Sequence, residues 1–203
     1  MIDFRKHWAE DWARLNLAGA DAWLDRLLAS YAEPSRHYHT LQHLAECLTL
    51  FDQVFRLADR PGEAAIALWF HDAVYVPLAR DNEARSAAWA CEALRAAGAS
   101  QAVIARVHAL VMATAHHDAK ADADSHLVIG IDLAILGAEP ARFAQYEQQV
   151  RAEYATVPTF PYRRKRNEIL SRFLERPAIY GTPELHGRLE AQARTNLRCA
   201  IEQ

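Results

Sequence analysis

The sequence predicts an all-α fold, built as one domain over residues 1–203 with about nine to ten helices. Apolar residues recur at helical spacing through nearly every segment, and no segment alternates apolar and polar residues as a strand does. Proline or glycine, which end helices, stands at the breaks between these segments. The length of 203 residues suits one domain, and the 51% hydrophobic content is enough for a sizeable core.

The first half of the chain predicts five helices with short connections. Tryptophans at helical spacing mark the first two, and an apolar stripe from Leu41 to Phe55 marks the third. The fourth is apolar on all sides, which predicts a buried helix. The predicted spans are residues 3–17, 20–32, 39–57, 62–75 and 82–97.

The second half predicts five more helices. Ser100 is a candidate N-cap for the first of them, and Pro183 suits the first position of the last. Pro158 and Pro161 separate two of the others. The predicted spans are residues 100–117, 126–136, 139–155, 162–176 and 183–201.

Composition excludes several classes of function. The formal net charge of -3 gives no sign of general nucleic-acid binding. No apolar run approaches the roughly 18 residues of a membrane span, and the N-terminal segment has no apolar stretch of the signal-peptide kind. The three cysteines, Cys47, Cys91 and Cys199, are far apart and indicate reduced thiols. We therefore expect a cytoplasmic protein with no membrane partner.

Polar residues interrupt two of the most apolar runs. His71 and Asp72 stand side by side within residues 64–78, and Asp132 lies within residues 127–136. A buried carboxylate without a partner costs several kcal/mol, so such groups are paired or bind a metal. Neither run contains a lysine or arginine. A shared divalent ion would satisfy both carboxylates and the imidazole, and His43, beside the Leu41–Phe55 stripe, is a further candidate ligand.

The candidate ligands occur in the order His43, His71–Asp72, Asp132, and five motifs accompany them. These are Arg36-x-Tyr38-His39-x-x-x-His43, Trp69-x-His71-Asp72-x-x-Tyr75, Asp81-Asn82-Glu83-x-x-Ser86-Ala87, Asp132-Leu133-x-Ile135-Leu136-Gly137 and Val150-Arg151-x-Glu153-Tyr154. Together they resemble the HD-domain metal-dependent phosphohydrolase superfamily, and within it a small bacterial branch of predicted phosphohydrolases. The resemblance covers almost the whole chain.

The resemblance implies an HD-type helical bundle with one central divalent ion. Its ligands would be His43, His71, Asp72 and Asp132, with water at the remaining positions. The ion lowers the pKa of bound water and stabilises charge on phosphoryl oxygens. The ligand set suits Mn²⁺, Fe²⁺, Co²⁺, Ni²⁺, Zn²⁺ or Mg²⁺.

Two residues are candidates for catalysis. His117 ends an apolar stripe of the helix at 100–117, where it could contact the phosphate, a second metal or only a backbone carbonyl. Glu83 could act as a general base or orient water. Its alternative is a favourable interaction with the dipole of a helix capped by Asp81 or Asn82.

Four residues are candidates for substrate binding. Arg36 and His39 precede the His43 helix and could hold a substrate phosphate, orient ligands or form an exposed capping turn. Lys165 and Arg166 belong to the one basic run, and arginine suits bidentate phosphate binding, although most such runs are solvated surfaces.

The expected activity is metal-dependent hydrolysis of a small phosphorylated metabolite, with nucleotides among the expected substrates. Three alternatives remain open. Alarmone hydrolases of this superfamily carry an acidic pair where this chain has Tyr75 and Val76. A dinuclear phosphodiesterase or oxygenase needs additional histidines, for which His116 and His117 are available. A metal-containing binding or scaffold protein without turnover has the same ligands. A homo-oligomer is compatible with an apolar face on an N-terminal helix, as is simple core burial.

Overall fold

The computed structural model describes residues 2–115 and 122–202, and within these ranges the chain forms ten α-helices and no strand. This confirms the predicted all-α class and the number of helices. The helices are α1 (Phe4–Ala13), α2 (Asp21–Tyr31), α3 (Leu41–Val54), α4 (Pro61–Phe70), α5 (Asn82–Ala96), α6 (Gln101–Ala113), α7 (Ala123–Asp132), α8 (Pro140–Glu153), α9 (Thr159–Glu175) and α10 (Pro183–Glu202). Short 3-10 helices, Phe55–Leu57 and Leu133–Gly137, follow α3 and α7.

The chain divides into two compact units, Met1–Ile129 and Gly130–Gln203. This division does not test the prediction of one domain over residues 1–203, which stays a prediction. In the first unit, α4 is the central helix, and α1, α3, α5 and α6 pack around it. Every residue from Gly62 to Phe70 is buried, which explains why this helix is apolar on all sides.

Tryptophans fill the space between α1 and α4. The rings of Trp8 and Trp69 meet edge to face with centroids 5.2 Å apart, and Trp12 lies 5.2 Å from Trp8 on the other side. The indole N–H of Trp69 donates to the carboxylate of Asp11 at 2.8 Å. Burial raises the pKa of Asp11, although the bond from Trp69 and the charge of Arg14 oppose that shift. Trp8, Trp12 and Trp69 are core residues, as their helical spacing predicted, whereas Trp23 and Trp89 are half-buried.

Polar contacts fix the N-terminal half of α4. The carboxylate of Asp124 accepts the backbone N–H groups of Asp59 at 2.7 Å and Arg60 at 3.1 Å, just before the helix begins. Within the helix, buried Glu63 accepts both ends of the Arg106 guanidinium, at 2.6 and 2.7 Å. Free N–H groups at a helix start need such acceptors, so the contacts with Asp124 fix the start of α4.

Several predicted helices have different ends in the structure, and two of these differences concern the candidate ligands. The helix predicted over 62–75 ends at Phe70, so His71 and Asp72 lie in the turn after α4 and not inside a helix. The apolar run continues through that turn because Ala73 and Val74 are also buried. The helix predicted over 126–136 begins earlier, at Ala123, and changes to a 3-10 helix after Asp132.

In the second unit, α10 packs against α9 and against the 3-10 helix Leu133–Gly137. The side-chain amide of Asn196 donates to the carbonyls of Leu136 at 2.9 Å and Ala138 at 2.8 Å. The hydroxyl of Tyr180 donates to the carbonyl of Leu133 at 3.1 Å. Side chains therefore bond to backbone carbonyls of the short 3-10 helix and of Ala138 just after it.

Within residues 2–115 and 122–202, no helix has both the length and the apolar character needed to cross a membrane.

A pair of glycines tests the packing of α10. A Cβ atom at Gly137 would lie 2.7 Å from Cβ and 2.8 Å from the backbone oxygen of Leu189, a contact that the helix backbone cannot relieve without moving. We expect Gly137→Ala to lower the free energy of unfolding by about 1–3 kcal/mol, the usual cost of overpacking. Urea denaturation measures this change.

Gly187→Ala is the matched control because Gly187 lies within α10 and has no neighbouring atom within 4 Å of the added methyl group. It should raise the free energy of unfolding by about 0.5–1 kcal/mol through the better helix propensity of alanine. Equal effects of the two substitutions would contradict the packing described for Gly137.

Candidate metal centre

Two buried histidines face each other between α3 and α4. His43 lies in the first turn of α3, whose start is capped by the hydroxyl of Thr40, and His71 immediately follows α4. Their side chains are 2% and 1% exposed. The Nε2 atoms of the two rings are 3.0 Å apart. The folding of α3 against α4 thus directs the same ring atom of each histidine to one point.

Asp72 adds an oxygen at the same point. Its Oδ2 lies 3.1 Å from Nε2 of His71 and 3.4 Å from Nε2 of His43. With metal–ligand bonds of roughly 2.1 Å, neighbouring ligand atoms are about 3.0 Å apart in an octahedron and about 3.4 Å apart in a tetrahedron. The three atoms therefore have the spacing of one face of a metal coordination sphere.

The hydrogen bonds of the two rings determine which nitrogen faces that point. Nδ1 of His71 donates to the carbonyl of Leu68 at 2.8 Å, because a carbonyl can only accept. In the neutral ring, Nε2 of His71 then carries a lone pair, and it faces the Asp72 carboxylate at 3.1 Å. Nδ1 of His43 is bonded to the hydroxyl of Tyr38 at 3.0 Å. A nitrogen lone pair against a carboxylate oxygen requires a cation between them, which can be a metal ion or a proton.

The charge of Asp72 is consistent with this requirement. Burial opposes ionisation of the carboxyl, but positive charge at His71 and His39, with hydrogen bonds from the protonated rings of His43 and His71, holds the pKa of Asp72 well below its ordinary value; in this state a proton supplies the cation that the contact requires. The side chain is therefore an ionised carboxylate, although only 17% of it is exposed. An ionised carboxylate beside two imidazoles is a suitable set of ligands for a divalent ion.

Cys47 is a neighbour of the histidines but does not have the geometry of a ligand. Cys47, His43 and His71 form one cluster in which one potential ligand atom from each residue lies within 4.8 Å of the others. However, the sulfur is 3.8 Å from both ring nitrogens of His43. An atom that binds the same ion as Nε2 lies outside the ring on the Nε2 side, so it is much farther from Nδ1 than from Nε2. Cys47 therefore packs against the imidazole of His43, one helical turn along α3.

Arg36 and His39 approach the His71–Asp72 doublet from the loop between α2 and α3. The guanidinium of Arg36 is buried and donates to the backbone carbonyls of Asp72 and Ala73. The ring of His39 is half-buried and stacks on Tyr75, with centroids 3.8 Å apart. A role of these two residues in substrate binding stays a prediction.

The other predicted site residues have different positions. Asp132 is the last residue of α7 and is half-buried, in the unit Gly130–Gln203, and its role as the fourth ligand stays a prediction. Glu83 is half-buried in the first turn of α5 and also stays a prediction as a general base. His117 lies outside the described residues.

Lys165 and Arg166 lie on α9 and already have acidic partners. Nζ of Lys165 is 3.1 Å from a carboxylate oxygen of Glu168. Arg166 forms an ion pair with Glu147, and its guanidinium lies 5.0 Å from the ring centre of Tyr146. The prediction that they contact substrate is not tested by these contacts, but a phosphate would have to compete with both carboxylates.

Sequence reasoning did not assign the residues that shape the loop after the doublet. The side chain of Asn82 accepts from the backbone N–H of Val76 and donates to its carbonyl, both at 3.0 Å. The hydroxyl of Ser86 makes a similar pair of bonds with Val74, at 3.0 and 3.3 Å. Asp81 occupies the N-cap position of α5, one of the two positions considered for the cap, but its side chain makes no capping hydrogen bond. The sequence signal that could have identified Asn82 and Ser86 is the motif Asp81-Asn82-Glu83-x-x-Ser86-Ala87.

Comparisons with models of known families, with curated proteins and with solved structures gave no match. The HD-domain resemblance therefore stays a prediction.

Tyr38→Phe tests the orientation of His43. The change removes the oxygen bonded to Nδ1 and keeps the buried ring, so the imidazole loses the partner that fixes its orientation. We expect the dissociation constant for Mn²⁺, measured by titration calorimetry, to rise by about 10-fold. Tyr162→Phe is the control, since this buried hydroxyl has no hydrogen-bond partner among the described residues. An equal change in both variants would contradict the role of Tyr38.

Cys47→Ala tests whether the sulfur is a ligand. Because the thiol packs against the ring of His43, the variant should retain the metal content and the Mn²⁺ affinity of the parent protein. His43→Ala, which removes a ligand atom from the same face of α3, should lose the ion. Loss of metal from Cys47→Ala would show that the sulfur coordinates it.

Proposed function

We propose that this chain is a metal-dependent phosphohydrolase that acts on a small phosphorylated metabolite, with nucleotides as the first substrates to test. The observation that carries the proposal is the convergence of three potential ligand atoms, with His71 Nε2 3.1 Å from Oδ2 of Asp72 and 3.0 Å from His43 Nε2. These three ligand atoms need a cation, and a divalent ion satisfies all of them at once.

The ligand set favours a divalent ion that accepts both nitrogen and oxygen ligands. His43 and His71 supply neutral nitrogens, and Asp72 supplies one oxygen, with Asp132 as the predicted second carboxylate. Since the sulfur of Cys47 does not point to the site, the ion is held by nitrogen and oxygen ligands alone. Mn²⁺, Fe²⁺, Co²⁺, Ni²⁺, Zn²⁺ and Mg²⁺ remain candidates.

The proposed reaction is hydrolysis, in which water would attack phosphorus, the bond from phosphorus to the leaving-group oxygen would break, and the released alcohol or phosphate would take up a proton. A bound divalent ion supplies a water of lowered pKa and stabilises negative charge on the phosphoryl oxygens. In this proposal Glu83 would accept a proton from the attacking water, and His117 would contact the phosphoryl group. The buried histidines keep their orientation during the reaction because Leu68 and Tyr38 hold their other ring nitrogens.

The doublet is the part of the site to test first. Elemental analysis of the purified protein should find about one divalent ion per chain, since one site is expected. His71→Ala and Asp72→Ala should each lose that ion because each removes a ligand atom from the shared point. Phosphate release from nucleotides and generic phosphate esters, assayed with added Mn²⁺, should fall to background in both variants.

Asp52→Ala is the matched control because it removes a carboxylate that pairs with His7 at 2.7 Å on another part of α3. It should keep both metal and activity. Stoichiometric metal in Asp72→Ala would contradict the site. Metal in the parent protein without turnover on any phosphate compound would favour a metal-containing binding protein, and two ions per chain would favour a dinuclear enzyme.

A further inference from the structure

The turn that carries the doublet is held by side chains from a distant segment. Arg36 donates from Nη1 to the carbonyl of Asp72 at 2.6 Å and from Nη2 to the carbonyl of Ala73 at 3.0 Å. These carbonyls follow the end of α4, where carbonyl groups have no partner within the helix. The forked guanidinium thus binds two consecutive peptide groups of the turn, one of which belongs to a candidate metal ligand.

Tyr31 holds the same turn through its hydroxyl group. The backbone N–H of Asp72 donates to this hydroxyl at 3.3 Å, and the hydroxyl donates to the carbonyl of Trp69 at 3.3 Å. The guanidinium of Arg36 lies 5.2 Å from the centre of the Tyr31 ring. Both the N–H and the carbonyl of Asp72 are therefore bonded to side chains of the segment at the end of α2.

The remaining contacts of Arg36 are also with the protein, which favours a positioning role over a phosphate contact. Its Nε donates to Glu33 at 3.3 Å, and Nη1 also donates to the carbonyl of His39 at 3.3 Å. Together with the bonds to the turn, these contacts use most of the donors of one guanidinium. The side chain is only 1% exposed. A substrate would have to displace bonds that hold the backbone of the doublet.

A charged group at this place also complements the helix. The C-terminal end of α4 carries the negative end of the helix dipole, where a cation is favourable. A lysine would supply charge but not two parallel donors at fixed spacing. The geometry therefore uses the shape of the guanidinium as well as its charge.

We propose that Arg36, supported by Tyr31, is a positioning residue of the metal centre, which fixes the backbone at Asp72 so that its carboxylate stays beside Nε2 of His71. The inference rests on the proposed function for the presence of the ion. It assigns Arg36 to holding the metal ligands in place and not to binding substrate. Loss of an outer partner of a ligand typically weakens metal binding by about 10–100-fold.

Arg36→Lys is the test variant, and Arg106→Lys is its matched control. Arg106 also presents a guanidinium fork in the first unit, but to the carboxylate of Glu63 and not to the doublet. The first measurement is the dissociation constant for Mn²⁺ by titration calorimetry. The second is the imidazole ¹⁵N spectrum of the metal-free proteins, which reports whether His71 keeps its proton on Nδ1.

We expect Arg36→Lys to raise the Mn²⁺ dissociation constant by about 10–100-fold and to change the His71 signals, while Arg106→Lys leaves both as in the parent protein. At saturating Mn²⁺, the KM for a generic phosphate ester should stay within about twofold of the parent value, because the positioning residue does not touch substrate. Tyr31→Phe, which retains the buried ring, should also weaken Mn²⁺ binding. It tests the inference independently if Arg36→Lys fails to fold.

Three results would overturn the inference: parent-like Mn²⁺ affinity in Arg36→Lys, equal weakening in Arg106→Lys, or a raised KM with unchanged metal affinity, which would make Arg36 a phosphate contact. If the parent protein binds no metal, the proposed function fails. The imidazole spectra of the metal-free variants then still decide whether Arg36 positions His71 and Asp72.

Discussion

The constraint on which the first unit depends is a half-buried carboxylate held against an imidazole nitrogen. The contact between Asp72 and His71 is stable only with positive charge at the point that both atoms face. The protein holds the two residues there with contacts that leave little freedom, from the Leu68 carbonyl on one side and the Arg36 guanidinium on the other. A site that requires a cation has thus been built at the end of the most deeply buried helix.

Helix α4 fixes the position of this site because side chains from distant parts of the chain bind the backbone at both of its ends. Asp124 binds the backbone just before the helix, and Arg36 binds the backbone just after it. A carboxylate at the start and a guanidinium at the end match the sign of the helix dipole. Since every residue from Gly62 to Phe70 is buried, the helix cannot shift without disturbing the core on all sides.

The sequence alone predicted the helical class, most helix positions and the chemical nature of the candidate ligands. Apolar periodicity predicts helices well because burial follows the same spacing. It placed the His71–Asp72 doublet inside a helix, since Ala73 and Val74 continue the apolar pattern through a buried turn. The contacts of Arg36 with Asp72 and Ala73 could not be predicted, because they join residues more than thirty positions apart and leave no local pattern.

The position of the doublet at the end of α4 links the ion of the proposed function to folding. Unfolding this central helix separates His43 from His71 and Asp72, so an ion held by all three would bind the folded chain and leave the unfolded one. Such a ligand stabilises a protein by mass action, by about 2.7 kcal/mol when its free concentration is 100 times its dissociation constant. The supply of metal would then set how much of the protein is folded, as well as how much of it is active.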